Sequence, residues 1–236
     1  MLGIAWNLSW VLPALNLIAF LGALATHRIK KGIVAAVFSM TAIFVAFVVF
    51  WFLVSEILKN GFLADQITWF QVAETKIILG FYVDRLTVLL LGLITFVALI
   101  VQIYSFGYMK NEPRFGWFFT VNAFFVAAML ALVLADNLLF LYFAWELVGL
   151  GSYLLIGFWY DRRSAAEAAK KAFITTRIGD VALLIGIIVL FKSTGTFQIS
   201  TIIDHAQSGL IGSQTILISS ILIFIGAMGK SAQVPF

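Results

Sequence analysis

The chain has 236 residues, 63% of them hydrophobic and 11% charged, with a mean hydropathy of +1.08 and a formal net charge of +4. That composition excludes a soluble globular domain and matches a polytopic helical membrane protein. With no cysteine, disulfides, thiolate metal sites and cysteine-held iron–sulfur clusters are excluded as well.

A lipid-spanning helix needs about 20 apolar residues. Windows of that length recur at residues 2–25, 32–58, 86–108, 116–135, 138–160, 172–191 and 215–236, which predicts an all-α polytopic membrane protein of about seven transmembrane helices. The first window has no basic residue before it and no small-residue cleavage site, so no cleavable targeting peptide is expected. Between the second and third windows, residues 66–72 and 76–82 are rich in aromatic and β-branched side chains and flank Ala73–Glu74–Thr75. This pattern predicts a small β-hairpin on the outer surface. Asp84–Arg85 reads as a helix cap with an interfacial charge, and Asn122 as an interhelical hydrogen bond or a water contact. Asp136–Asn137 reads as a tight, solvated outer turn that caps the next helix. Trp159–Tyr160 sits where an interfacial aromatic belt belongs. Residues 192–214, rich in Ser, Thr and Gly, read as a second outer loop. No long repeat or low-complexity linker divides the chain, so a single membrane domain, 1–236, is expected.

Charge placement predicts direction. Arg28, Lys30, Lys31, Lys110, Arg114, Arg162, Arg163, Lys170 and Lys171 fall on one side, nine against Lys59, Lys76, Arg85 and Lys192 on the other. Basic loops stay inside, so the amino terminus is expected outside.

Four ionisable residues interrupt the later apolar windows: Glu146, Arg177, Asp180 and Lys230. A charged group near the centre of a spanning helix costs about 2.5–3.5 kcal/mol on insertion scales, so each asks for a reason. Tyr142, Glu146, Gly149 and Tyr153 share one helix face. Gly149 and Gly151 admit a neighbouring helix, so the stripe is expected to face protein, as a capped structural carboxylate or a titrating one. Arg177 and Asp180 are three residues apart, which fits either a self-neutralising pair or an electrostatic element that tunes a neighbour. Arginine holds its proton too tightly to carry it onward, whereas Asp180 can titrate. Lys230 shares a face with Gly226, Ala227 and Gln233, and Pro235 limits continuation of the helix beyond it. A buried lysine can alternate between charged and neutral forms, and the alternative is a lysine snorkelling to the interface. Together the four residues suggest hydration-assisted proton transfer, with the charge of Glu146 setting the state of Lys230. His27 and His205 lie far apart in connecting segments, so no metal or haem site is expected; no phosphate loop or Ser/His/Asp set occurs, and no cofactor or nucleic-acid partner is expected.

The same residues carry a family resemblance. Residues 145–159, beginning Trp145–Glu146–Leu147–Val148–Gly149, then Thr176–Arg177–Ile178–Gly179–Asp180, then Gly229–Lys230–Ser231–Ala232–Gln233–Val234–Pro235, resemble the antiporter-like membrane subunits of respiratory complex I, most of all the branch called chain L or chain 5. Phe81–Tyr82–Val83–Asp84–Arg85–Leu86–Thr87 and Tyr104–Ser105–Phe106–Gly107–Tyr108–Met109 fit that branch too, and the large subunit of Mrp-type sodium/proton antiporters is a relative. The resemblance implies a proton-translocating subunit of NADH–quinone oxidoreductase, with Glu146 and Lys230 as the proton-transfer pair and Arg177 and Asp180 as tuning charges. It implies no flavin, iron–sulfur centre or substrate site in this chain, and redox energy arriving through adjoining membrane subunits. Family members are longer, with two inverted repeats. Against them, 1–115 corresponds to three leading helices and the hairpin, and 116–236 to an incomplete five-helix antiporter-like repeat. A fragment, or a split subunit completed by a second chain, is therefore expected, beside an adjacent antiporter-like subunit and the lipid bilayer. The expected membrane is that of a bacterial or archaeal cell, with an organellar membrane as the alternative. An Mrp-type antiporter subunit and a purely structural membrane component are the competing readings.

Overall fold

A computed structural model describes residues 2–72 and 75–236. The order is α1 (Leu2–Thr26), α2 (Ile33–Asn60), β1 (Leu63–Val72), β2 (Thr75–Val83), α3 (Arg85–Tyr108), α4 (Phe115–Leu134), α5 (Leu138–Ile156), α6 (Arg163–Thr194), α7 (Ile199–Gln207) and α8 (Ser213–Lys230). Seven of these helices are long and apolar enough to cross a membrane, and β1 pairs with β2 as a two-stranded sheet. The chain is an integral, multi-pass membrane protein. The expected hairpin is present and longer at both ends; of its turn, Ala73 and Glu74 lie outside the described residues.

The helix starts follow local chemistry. The Asp84 carboxylate accepts from the Thr87 N–H at 2.8 Å and caps α3, and Asn137 Oδ1 accepts from the Phe140 N–H at 2.7 Å and caps α5. Helix limits also differ from the sequence expectation, and α5 ends at Ile156 rather than at 160. Helix α6 begins at Arg163 rather than at 172, because the charged run ahead of the apolar window consists of strong helix formers. The expected outer loop 192–214 contains α7. Helix α8 stops at Lys230, where the Ser231 N–H bonds back to the Ala227 carbonyl, so Gln233 lies beyond the helix and shares no helical face with Lys230.

The described contacts form two compact units. The first comprises residues 1–65 and 81–134. Here α1 packs on α2 and α4, and α2 on α3 and α4, around Leu12, Ile43, Leu53, Leu91, Phe119 and Leu130. Gly32 holds a left-handed φ of +84°, and a Cβ on Gly116 would run into the His27 carbonyl. The corner after α1 thus rests on the first turn of α4, and only glycine fits there. A polar seam crosses the unit. Ser39 Oγ donates to Gln102 Oε1 at 3.0 Å, and Gln102 Nε2 donates to Asn122 Oδ1 at 2.9 Å, so α2, α3 and α4 are tied together. Asn122 is the interhelical bond that its sequence context suggested.

The second unit comprises residues 66–80 and 135–236. Its most extensive contact is between α6 and α8. A Cβ on Gly179 would lie 3.2 Å from Gly229 Cα, one on Gly186 would lie 3.1 Å from the Ser219 carbonyl oxygen, and one on Gly226 would lie 2.7 Å from Leu183 Cβ. Small residues bring the backbones together, as membrane helix packing requires. Leu190, Ile202 and Ile211 form a core that docks α7. The Asp136–Asn137 turn is buried, not solvated as expected, at 8% and 3% exposure. The Asp136 carboxylate accepts from Gln66 Nε2 at 2.9 Å, Asn137 Nδ2 at 3.0 Å and Gln198 Nε2 at 3.2 Å. A Cβ on Gly80 would collide with that carboxylate. Partners distant in sequence supply the hydrogen bonds that a solvated turn would take from water.

Candidate functional site

The four ionisable residues singled out in the sequence all belong to the second unit, on α5, α6 and α8. Glu146 lies near the middle of α5, Arg177 and Asp180 lie in the middle of α6, and Lys230 is the last residue of α8.

Their pairing is not the one that sequence spacing suggests. Arg177 reaches across to Glu146 and forms a salt bridge, instead of neutralising Asp180 on its own helix. The Glu146 side chain is 16% exposed and that of Arg177 is 41% exposed, so the carboxylate is the buried partner and the guanidinium the peripheral one. The guanidinium also lies over the Phe173 ring, 4.6 Å from its centroid. On the same face of α5, Tyr153 packs against Phe173 with ring centroids 5.2 Å apart. The Tyr142–Glu146–Gly149–Tyr153 stripe therefore includes direct contacts to α6, through Glu146 and Tyr153.

Asp180 is 2% exposed, and one of its oxygens accepts from Trp145 Nε1 at 2.7 Å. Lys230 Nζ donates to the Trp145 carbonyl at 3.2 Å and lies 5.2 Å from the centroid of the Trp145 ring. A Cβ at residue 149 would lie 3.3 Å from that amine, so glycine leaves the space in which the ammonium sits. In this arrangement the lysine has a carbonyl and a ring at close range and forms no salt bridge with Asp180 or Glu146. An ammonium so placed is held by several weak interactions, any of which can be exchanged.

Trp145 is the member of this cluster that charge counting passes over. Part of the signal was available, because an indole N–H in an apolar run seeks an acceptor, but the acceptor, Asp180, lies 35 residues on in the chain. An apolar cavity of about 320 Å³ lies beside α5, lined by Ile78, Leu79, Asn137, Phe140, Tyr142 and Glu146 among others, so Glu146 borders open space as well as its arginine.

The fold and the site define a multi-pass helical membrane protein with a cross-linked set of acids and bases inside its helices. Residues 135–236 match the family described as NADH:quinone oxidoreductase/Mrp antiporter, and residues 69–119 match that described as the chain 5 N-terminus of NADH-ubiquinone oxidoreductase (complex I). The chain belongs to this family of antiporter-like membrane subunits. It is 37% identical to NAD(P)H-quinone oxidoreductase chain 5 of a Synechocystis species, over 98% of this chain and 35% of that protein. It is 44% identical to the chloroplastic subunit 5 of Nephroselmis olivacea, over 72% of this chain and 27% of that protein. The chain thus spans about a third of the length of the curated relatives it matches. Among solved structures, the Mrp complex of a Dietzia species superposes with a TM-score of 0.76 and 25% identity, over 98% of this chain and 24% of that one. An archaeal membrane-bound sulfane sulfur reductase superposes with a TM-score of 0.79 and 17% identity over 93% of this chain and 44% of that one, a likeness of fold alone.

Proposed function

We propose that this chain is a proton-translocating membrane subunit of a complex of the NADH–quinone oxidoreductase type. It works beside other membrane subunits, an antiporter-like neighbour among them, and carries protons while electron transfer proceeds elsewhere in the complex. The observation that carries this reading is the convergence of Glu146, Arg177, Asp180 and Lys230 from three helices, with Trp145 bonded to both Asp180 and Lys230 and no salt bridge between Lys230 and either carboxylate. A side chain that only neutralised charge would be fully paired. The N-terminus faces outside in this proposal, following the basic residues at 28–31, 110–114 and 162–171.

The proposed step is an exchange of partners. When Glu146 is free of Arg177, its charge favours the ammonium form of Lys230. When Glu146 is held by Arg177, that support is partly cancelled. Lys230 then releases its proton to the Asp180 carboxylate or to water in contact with it, and is left as a neutral amine. Arg177 stays charged throughout and acts as the switch for Glu146.

Lys230→Ala in the assembled complex tests this reading. Proton uptake by inverted membrane vesicles is expected to fall to background while the chain remains in the membrane. Unimpaired uptake removes the lysine from the mechanism. A second reading, sodium/proton exchange, is favoured by the fold shared with the Mrp complex and by the family description that covers both. It predicts uptake that depends strictly on sodium.

A further inference from the structure

Trp145 touches both ends of the basic–acidic set with chemically distinct groups. Its indole N–H bonds Asp180 at 2.7 Å, its ring lies under the Lys230 ammonium at 5.2 Å, and its own carbonyl accepts from that ammonium at 3.2 Å. The next residue in the chain is Glu146, which is held by Arg177. The carbonyl is open to Lys230 because residue 149, one helical turn on, is a glycine: a carbonyl has two lone pairs, one for the helix and one free for a side chain that can reach it. We infer that Trp145 is a positioning residue that holds Asp180 and Lys230 at a shared point between α5, α6 and α8, so that the proton can pass between them without either group rebuilding its surroundings.

The inference rests on the proton-transfer reading above and goes beyond it, because that reading requires no tryptophan. A packing residue in this place needs only apolar surface. Here a donor faces the acid, a π face meets the base, and neither interaction follows from volume. With its N–H fixed on one oxygen, the Asp180 carboxylate has its other oxygen left to face a proton donor. The ring keeps the ammonium close without a salt bridge to a carboxylate among the described residues. The titratable and charged groups around Trp145 are Tyr142 and Glu146 on its own helix, Arg177 and Asp180 on α6, and Lys230 on α8. All of them keep their side chains when Trp145 is changed.

Two substitutions separate the two contacts. Trp145→Phe keeps a ring for Lys230 and removes the donor to Asp180, and Trp145→Leu removes both. In native membranes holding the assembled complex, proton uptake per complex is expected to fall about tenfold in Trp145→Phe, the scale of a lost hydrogen bond to a charged group. It is expected to fall about a further threefold in Trp145→Leu, the scale of a cation–π contact. In an Asp180→Asn background, Trp145→Phe is expected to add less than about twofold, because its partner is already altered. The acidic limb of the pH–rate profile is expected to move by about one unit in Trp145→Phe, a displacement that a space-filling role leaves at zero. Rates are normalised to assembled complex, and Trp145→Phe preserves most of the volume, so a poorly assembled leucine variant leaves the phenylalanine result decisive. Wild-type uptake in Trp145→Phe, or full additivity with Asp180→Asn, overturns the positioning role alone. Wild-type uptake in Lys230→Ala overturns both the positioning role and the proposed function.

Discussion

Glu146→Gln is expected to lower proton uptake by about 100-fold, the scale on which positioned acid–base groups act, while leaving the chain assembled in the membrane. Glutamine keeps the size and hydrogen-bonding reach of the side chain and removes its charge. Arg177 then loses its only salt bridge among the described residues. The guanidinium is already 41% exposed and stacked on Phe173, so it has a way to relax that a sealed cation would lack. Assembly therefore survives, and what disappears is the anion that Arg177 holds and that, in the proposed step, sets the state of Lys230. Uptake in inverted vesicles, normalised to the membrane content of the chain, reads this directly. Lost assembly with unchanged uptake per surviving complex assigns Glu146 a structural role instead.

Gly226→Val is expected to remove the chain from the membrane fraction several-fold, by breaking the close packing of α8 on α6. Even the first carbon of a side chain there would lie 2.7 Å from Leu183 Cβ, nearer than real carbons approach. Relief requires α6 and α8 to move apart, and overpacking of a tight contact costs about 1–3 kcal/mol. The cost extends beyond stability. Lys230 sits one turn after Gly226 on α8, and Asp180 sits next to Gly179 on α6, which approaches the Gly226 carbonyl within 3.3 Å of an added Cβ. Separation of the helices therefore pulls the amine away from Trp145 and the carboxylate. Quantifying the chain in membranes, and the uptake of any complex that survives, checks both effects. Wild-type levels of both would show that α6 and α8 are not held by this contact.

Much of the architecture is written in local pattern. Seven apolar windows, the hairpin, and the caps at Asp84 and Asn137 follow from composition and short-range chemistry, which act within a few residues. The four ionisable residues are legible for the same reason, since charge in an apolar window stands out. Their partners are not legible. Arg177 lies three residues from Asp180 and pairs with Glu146, which is 31 residues away, because the approach of α5 to α6 decides the pairing and spacing along α6 does not. Asp136 reads as a solvated turn because its amide donors, Gln66 and Gln198, come from remote parts of the chain. Helix α7 hides in a Ser- and Thr-rich segment, although Ile199, Ile202, Ile203 and Ala206 already carry a helical period. The role of Gly149 is visible only once Lys230 is seen beside it.

In the proposed mechanism Lys230 acts by giving up and regaining a proton, and not merely by being positive. Lys230→Arg separates the two, because a guanidinium keeps the charge, the carbonyl bond and the contact with the Trp145 ring, yet does not deprotonate. Proton uptake by vesicles carrying the assembled Lys230→Arg complex is predicted to match the background left by Lys230→Ala. Uptake at the wild-type rate would show that a fixed charge suffices and that Lys230 need not release its proton.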